Sequence, residues 1–318
     1  MNLRIGSRGS QLALWQANYI ADLLRTEDHS VEIEIIQTTG DQLQEVTFAE
    51  VGSKGMFTKE IEEALAEGAI DLAVHSLKDL PTDLPEQFAL AATPRRVDPR
   101  DALVSRDYPT IASLPPGAKV GTSSPRRRAQ LKALRPDVLA VEFRGNVDTR
   151  LRKLAEGQVD CILLAAAGLD RLDKNEWVRE RLDPADFCPA AGQGALGIET
   201  RKGDKRTIVA LAFLDDLDTR FAVTAERAAL AALGGGCQVP IGVHCRPYRG
   251  SLDSDWDEIF AVVAAPDTGK AVRILHRAPR TESDPVLFGQ VAAQKLMNAG
   301  AGPILAAVVE SPPSGDPA

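Results

Sequence analysis

Cysteine and histidine are scarce in this 318-residue chain, four of each, and no two cysteines form a C-x-x-C pair. With the histidines scattered as well, no zinc-type ligand spacing arises and no metal is expected. No apolar run approaches the length that spans a bilayer, which argues against a membrane protein. The opening Met1-Asn2-Leu3-Arg4-Ile5-Gly6 leads into a segment broken by Gln16, Asn18 and Asp22. That is not the continuous apolar stretch of a secretory signal, so cytoplasmic residence is expected, and reduced cysteines suit it. The glycines of Pro189–Gly197 are not followed by Lys-Ser/Thr as in a P-loop, and no Rossmann fingerprint is present. A net charge of −8 argues against nucleic acid as a partner.

What is present points elsewhere. At 318 residues the chain exceeds the size at which one core stops growing, which implies two or three domains. Charge is unevenly spread: Arg126, Arg127, Arg128, Lys132, Arg135, Arg144, Arg150, Arg152 and Lys153 face only Asp137, Glu142 and Asp148 in the same stretch. Both a solvated helix face and a pocket for a polyanionic small molecule fit such a run. Ser123 or Ser124 predicts a helix N-cap, with Pro125 at the first helical position and Arg126 and Arg127 in the first turn. Cations there oppose the helix dipole, so an anion is expected beside them.

A short strand at Leu3–Gly6 enters a helix from about Ser10 that carries Leu12, Trp15, Tyr19 and Leu23 at helical spacing. Val31, Ile33 and Ile35 alternate as in a half-buried strand, and Thr58 is placed to cap a helix carrying Ile61 and Leu65. A strand at Ile70–His75 delivers the following Ser76 to Pro81 at its C-terminal end, where α/β sheets concentrate their ligand sites. A second α/β block has strands at Lys119–Thr122, Val138–Phe143 and Val159–Ala165, with a helix bearing Arg150 between the last two. Pro189–Gly197 reads as a hinge or crossover. An Ala-rich helix over Arg220–Leu233 ends at Gly234. Strands at Ile259–Val263 and Val272–Leu275 and a last helix at Val286–Asn298 follow, then a tail, 311–318, read as disordered. No internal repeat is apparent. Cys237 lies in Gly234-Gly235-Gly236-Cys237-Gln238-Val239-Pro240, a loop that either presents an accessible thiol for covalent chemistry or is a tight turn around an inert cysteine.

HSLKDLP at 75–81, GTSSPRRR at 121–128, RGNVDTRL at 144–151, PAAGQGALGIE at 189–199 and GGGCQVPIG at 234–242 occur in this order, preceded by Ser7-Arg8 and the run Leu12 to Ala17. Together they closely resemble the porphobilinogen deaminase (hydroxymethylbilane synthase) family, through most of the chain and more loosely beyond about Arg246. The resemblance implies an α/β fold of two doubly wound domains, like type II periplasmic binding proteins, plus a small α/β third domain. It divides the chain into 1–96 with 194–215, 97–193, and 216–310. It implies a dipyrromethane cofactor joined by a thioether to Cys237. Porphobilinogen units are deaminated and added to this primer, four per turnover, until hydrolysis releases hydroxymethylbilane. A monomer is implied, with porphobilinogen as the small-molecule partner.

By the same resemblance Asp79 is the catalytic carboxylate, with Lys78 beside it in the cleft. A negative charge near the pyrrole N–H groups stabilises the azafulvenium cation left when ammonia departs. The acetate and propionate side chains of cofactor and growing chain are assigned to Arg8, Arg126, Arg127, Arg144, Arg150 and Arg171, since guanidinium forks pair bidentately with carboxylates. Ser76, Thr122, Ser123, Ser124, Lys54 and Gln193 are expected to assist, and Phe57 to lie against a pyrrole ring. Three positions depart from the family pattern. Gln11 stands where proline is common, Pro125 for leucine, and Asp148 for a frequent glycine between Arg144 and Arg150. A non-catalytic binding protein for small organic anions is the competing reading, against which the absent export signal and the glycine-framed Cys237 count.

Overall fold

A computed structural model describes residues 1–38, 58–235, 239–249, 255–280 and 284–310, the side chains of 249 and 308–310 aside. The expected Lys54, Phe57, Cys237 and tail 311–318 lie outside the described residues.

Lobe one is a five-stranded sheet in the order β2-β1-β3-β10-β4, made of β1 (Asn2–Ser7), β2 (Ser30–Ile35), β3 (Leu72–Ser76), β4 (Phe88–Ala92) and β10 (Leu196–Arg201). β1 runs parallel to β2 and β3, and β10 is antiparallel to both of its neighbours. Helix α1 (Gln11–Thr26) starts where Ser10 Oγ accepts from Ala13 N, as the sequence implied. Its buried face differs from the apolar stripe the sequence suggested. Gln16, Ala17, Ile20, Ala21 and Leu24 turn into the core with Leu3, Ile5, Leu72 and Ile198, whereas Trp15 and Tyr19 remain partly exposed. The small alanines let α1 approach the sheet closely; the aromatic rings are too large for that face. Helix α2 (Lys59–Ala66) buries Ile61 and Leu65, but Thr58 stands at its N-cap without a side-chain capping bond.

Lobe two repeats the same order as β7-β6-β8-β5-β9, from β5 (Asp101–Ser105), β6 (Lys119–Gly121), β7 (Leu139–Val141), β8 (Cys161–Ala165) and β9 (Val178–Arg181). Leu103 and Leu163 pack on one face while Ala102, Val104, Ile162 and Leu164 pack on the other, the period-two pattern of strands buried on both sides. Helices α3 (Pro125–Leu134), α4 (Val147–Ala155) and α5 (Ala166–Arg171) lie in this part of the chain. In each lobe the antiparallel strand is the first one after the chain crosses over: β5 enters lobe two and β10 returns to lobe one. The crossovers touch. Gly194 has φ +85°, and a Cβ there would lie 2.8 Å from Val97 O, so only glycine fits.

A third, antiparallel sheet, β11 (Ile241–Arg249), β12 (Asp255–Ala264) and β13 (Ala271–Pro279), is preceded in the chain by α6 (Lys205–Leu211) and α7 (Leu217–Ala232). It packs against α7 and α8 (Pro285–Leu296) through Ala225, Ala229, Val243, Ile259, Ala261, Phe288 and Leu296. The expected last helix is not the last, since α9 (Gly302–Glu310) follows a kink at Gly300, φ 98°. Glu226 of α7 ties this unit to the crossovers. Its carboxylate accepts from Arg96 Nη1 at 2.6 Å, Arg96 Nη2 at 3.1 Å, Gly192 N at 2.7 Å and Cys245 N at 2.7 Å. Burial alone would raise this carboxyl, yet Arg96 and His244 bring it down to about 2.

Candidate functional site

The C-terminal ends of the parallel strands in both lobes open onto one cleft of about 750 Å³. Lobe one contributes Arg8 from the turn after β1, and Ser76, Lys78 and Asp79 from the end of β3 and the single 3₁₀ turn that follows it. Lobe two contributes Ser123, Arg127, Arg144, Asp148, Arg150 and Arg171, and the returning crossover adds Gly192 and Gly194. Sequence reasoning had singled out all of these side chains except Asp148, read only as a departure.

The turn entering α3 shows how local chemistry sorts its residues. Thr122 Oγ1 accepts from Ser124 N at 3.2 Å, and Ser124 Oγ caps the helix by accepting from Arg127 N at 3.4 Å. Thr122 and Ser124 therefore build the turn and are not among the cleft-lining residues; Ser123 lines the cleft and donates to Phe143 O at 2.6 Å. Arg126 is likewise not brought to the cleft. Its Nη1 donates to Asp101 Oδ2 at 2.7 Å and to Cys188 O at 2.6 Å, in the interior. Arg127 holds the same carboxylate, Nε at 2.9 Å and Nη2 at 2.7 Å from Asp101 Oδ1, but also reaches the cleft wall. Gln193, expected at the ligand, instead donates from Nε2 to Asp101 Oδ1 at 3.0 Å and to Pro99 O at 2.7 Å, inside the crossover.

Asp101, which the sequence reading missed, is thus the anion that two arginines in a first helical turn require. Burial would raise its carboxyl, but Arg126 and Arg127 hold it well below the ordinary range. The one signal that pointed to it was the uncompensated pair at the helix start; an acidic residue after Arg100 is otherwise unremarked.

Burial works against the charge of several cleft cations. Burial, reinforced by Arg127, brings Lys78 down to about 8 against the opposing pull of Asp79. Burial and then Arg127 bring Arg150 down to about 10, and burial does the same to Arg171. Arg144 Nε donates to Glu142 at 2.7 Å and Arg150 Nε to Gly145 O at 2.8 Å, which fixes both forks. Arg171 Nη2 donates to Gly194 O at 2.9 Å, while its buried Nε has no hydrogen-bond partner among the described residues. Asp148 stands 3.8 Å from Lys174 Nζ, a partner that moderates the charge it introduces. Behind the turn that carries Lys78 and Asp79, Gln16 Nε2 donates to Ser76 Oγ at 2.7 Å, and the buried pair His75–Glu199, 3.0 Å apart, ties β3 to β10. Arg227 of α7 donates to Pro81 O at 2.5 Å and Thr82 O at 3.0 Å, just beyond Asp79. No group of three His, Cys, Asp or Glu side chains suited to a metal occurs among the described residues, and none of their helices is long and apolar enough to cross a membrane.

Two doubly wound α/β lobes around a cleft rich in guanidinium groups, with Lys78 and Asp79 on a single 3₁₀ turn, define a binding cleft suited to a small molecule that carries several carboxylates. The family model for the porphobilinogen deaminase dipyrromethane cofactor binding domain matches residues 3–209, and the one for the porphobilinogen deaminase C-terminal domain matches 220–298. Porphobilinogen deaminase of Bordetella parapertussis is 48% identical over 314 residues, covering 98% of this chain and 98% of that protein. The same enzyme of Roseiflexus castenholzii is 48% identical over 307 residues, covering 96% and 99%. The chain belongs to the porphobilinogen deaminase family. Among solved structures, the methionine-binding protein MetQ aligns with 71% of this chain and 94% of that one at 11% identity, with a TM-score of 0.44, too low to carry an argument.

Proposed function

We propose that the chain deaminates porphobilinogen, joins four units head to tail on a bound dipyrromethane and releases hydroxymethylbilane, as a step of tetrapyrrole biosynthesis. The observation that carries this reading is the cleft itself. In a chain of net charge −8, the described residues of its lining gather Arg8, Lys78, Arg127, Arg144, Arg150 and Arg171 against only Asp79 and Asp148 among them. That donor set suits dipyrromethane, which when bound supplies the free pyrrole end that accepts each new unit. In this reading Arg127, Arg144, Arg150 and Arg171 hold carboxylates of primer and growing chain, with Arg8 and Ser123 assisting. In the same reading Asp79 is the carboxylate that stabilises the positive charge developing as porphobilinogen loses ammonia. Lys78 stays largely protonated below about pH 8 and adds a cation beside it.

Cys237 remains the proposed attachment point. The described cysteines support this by their character: Cys161, Cys188 and Cys245 are buried, and burial pushes Cys161 and Cys188 up to about 12 and Cys245 well above the ordinary thiol range. None of the three is a ready nucleophile. The division into 1–96 with 194–215, 97–193 and 216–310 belongs to the same reading, as do cytoplasmic residence and a monomer, the last checked by sedimentation.

The test is an intact-mass measurement on purified protein followed by incubation with porphobilinogen. A mass increment of two deaminated porphobilinogen units, located on Cys237 by peptide mapping, and release of the linear tetrapyrrole are expected. Binding of carboxylated pyrroles with neither increment nor turnover would select the anion-binding protein instead.

A further inference from the structure

Trp15 and Tyr19 occupy the side of α1 that lobe one does not use. They keep 36% and 40% of their surface exposed and stack with ring centroids 5.4 Å apart and planes 10° from parallel. The pair contributes little to the core of its own lobe, and the Trp15 ring has its cationic neighbour in the other. The guanidinium carbon of Arg171, on α5 of lobe two, lies 5.8 Å from the centroid of the Trp15 ring, within cation–π range. One turn earlier on α5, a Cβ at Gly168 would come 3.7 Å from Leu12 of α1. Helices α1 and α5 therefore meet in a seam beside the cleft that both lobes line.

Arg171 needs such a neighbour. It is 8% exposed, it spends one nitrogen on Gly194 O at 2.9 Å, and its Nε is buried with no hydrogen-bond partner among the described residues. A buried guanidinium with an unmet donor is costly, and an aromatic face offsets part of the lost hydration without consuming a hydrogen-bond donor. A carboxylate partner would have used up the charge; the indole leaves it available.

We infer that Trp15, stiffened by Tyr19, is a positioning residue that holds the Arg171 guanidinium across the lobe seam in readiness for a carboxylate of the growing chain. The inference rests on the reading that Arg171 binds such a carboxylate, and the two are separable. On cofactor-loaded protein, Trp15→Leu, Trp15→Phe, Arg171→Lys and the Trp15→Leu/Arg171→Lys double variant are compared for KM, kcat, thermal midpoint and the mass distribution of enzyme-bound chains. Trp15→Leu is expected to raise KM or slow elongation by on the order of three- to tenfold, with Trp15→Phe recovering most of the loss. It should shift the distribution of bound chains in the same sense as Arg171→Lys, and the double variant should be little worse than Arg171→Lys alone, because both changes remove one interaction. Kinetics unaltered by Arg171→Lys would overturn the reading of Arg171 itself. Impairment by Arg171→Lys together with an unaffected Trp15→Leu, or with losses that multiply in the double variant, would overturn only the role of Trp15. Should Trp15→Leu fail to fold, the cycle is run with Trp15→Met, where a loss at unchanged thermal midpoint that does not multiply with Arg171→Lys supports ring-face positioning, and wild-type kinetics or multiplying losses oppose it.

Discussion

The turn after β1 in lobe one carries Arg8, and its counterpart after β6 in lobe two carries Ser123 with Arg127 one turn into the helix; the turn after β3 carries Lys78 and Asp79, whereas β8 leads directly into α5 and Arg171. Equal strand order has thus been given unequal chemistry. Lobe two holds its cations rigidly, since Arg127 is bonded to Asp101 and Leu163 O, Arg150 to Gly145 O and Arg144 to Glu142. Asp79 of lobe one is exposed to cleft water, in the field of Lys78 and Arg127. The difference separates holding from reacting. Under the proposed function, the groups that would grip a growing anion at every addition are fixed in advance, while the carboxylate proposed to meet the developing cation is left available for it.

The sharpest way to break this comparison is Asp79→Asn, which keeps the shape of the turn and removes its charge. A fall in kcat on the order of 10²–10³-fold is expected, with the thermal midpoint and cofactor mass unaltered. Near-normal bilane formation would move the chemistry to another group. Asp101→Asn attacks the opposite lobe. With two guanidinium groups left without their buried counter-charge, a stability loss of about 3–5 kcal/mol is expected in chemical denaturation, and kcat per folded, cofactor-loaded molecule should change little while KM rises as Arg127 loses its fixed position. A large loss of kcat at full stability and occupancy would mean that Asp101 serves the reaction rather than the scaffold.

Lys78 sharpens the comparison through pH. Its folded value, lowered to about 8, lies below the ordinary lysine range, so between the two the unfolded chain binds the extra proton and this site adds stability as pH rises. Binding of a carboxylated substrate should change the other way, with KM rising as pH passes about 8 and Lys78 loses its charge. Lys78→Met should flatten both slopes, and an unaltered KM profile would exclude Lys78 from the ligand's surroundings. The smallest effect is expected at Asp148→Gly. Paired to Lys174 across 3.8 Å and half exposed, Asp148 should alter KM by no more than about threefold on removal. A tenfold tightening would show that its charge opposes the ligand directly.

Much of this was legible from residue order alone. The motif series identified the family, Ser10 and the pair Ser123-Ser124 marked helix starts, and a strand ending at His75, one residue short of its observed end, placed Lys78 and Asp79 at a cleft-facing position. Each of these follows from rules that act within a turn of helix or along one strand. The argument from Arg126 and Arg127 to a nearby anion was also correct in kind, but the anion is a side chain of the protein. The two lobes' common strand order left no readable trace, because a sheet needs only alternating apolar residues and any of several will serve at each position.

Residue types, turn chemistry and the demand for a counter-charge were therefore determined by the sequence itself. Which of two adjacent arginines lines the cleft, where Trp15 points and what neutralises Arg126 were decided only by tertiary structure. Neighbours on a helix point about 100° apart, so Arg126 and Arg127 part company as soon as α3 docks. Their shared partner Asp101 lies 25 residues from Arg126 in the chain, on a strand brought alongside by the crossover.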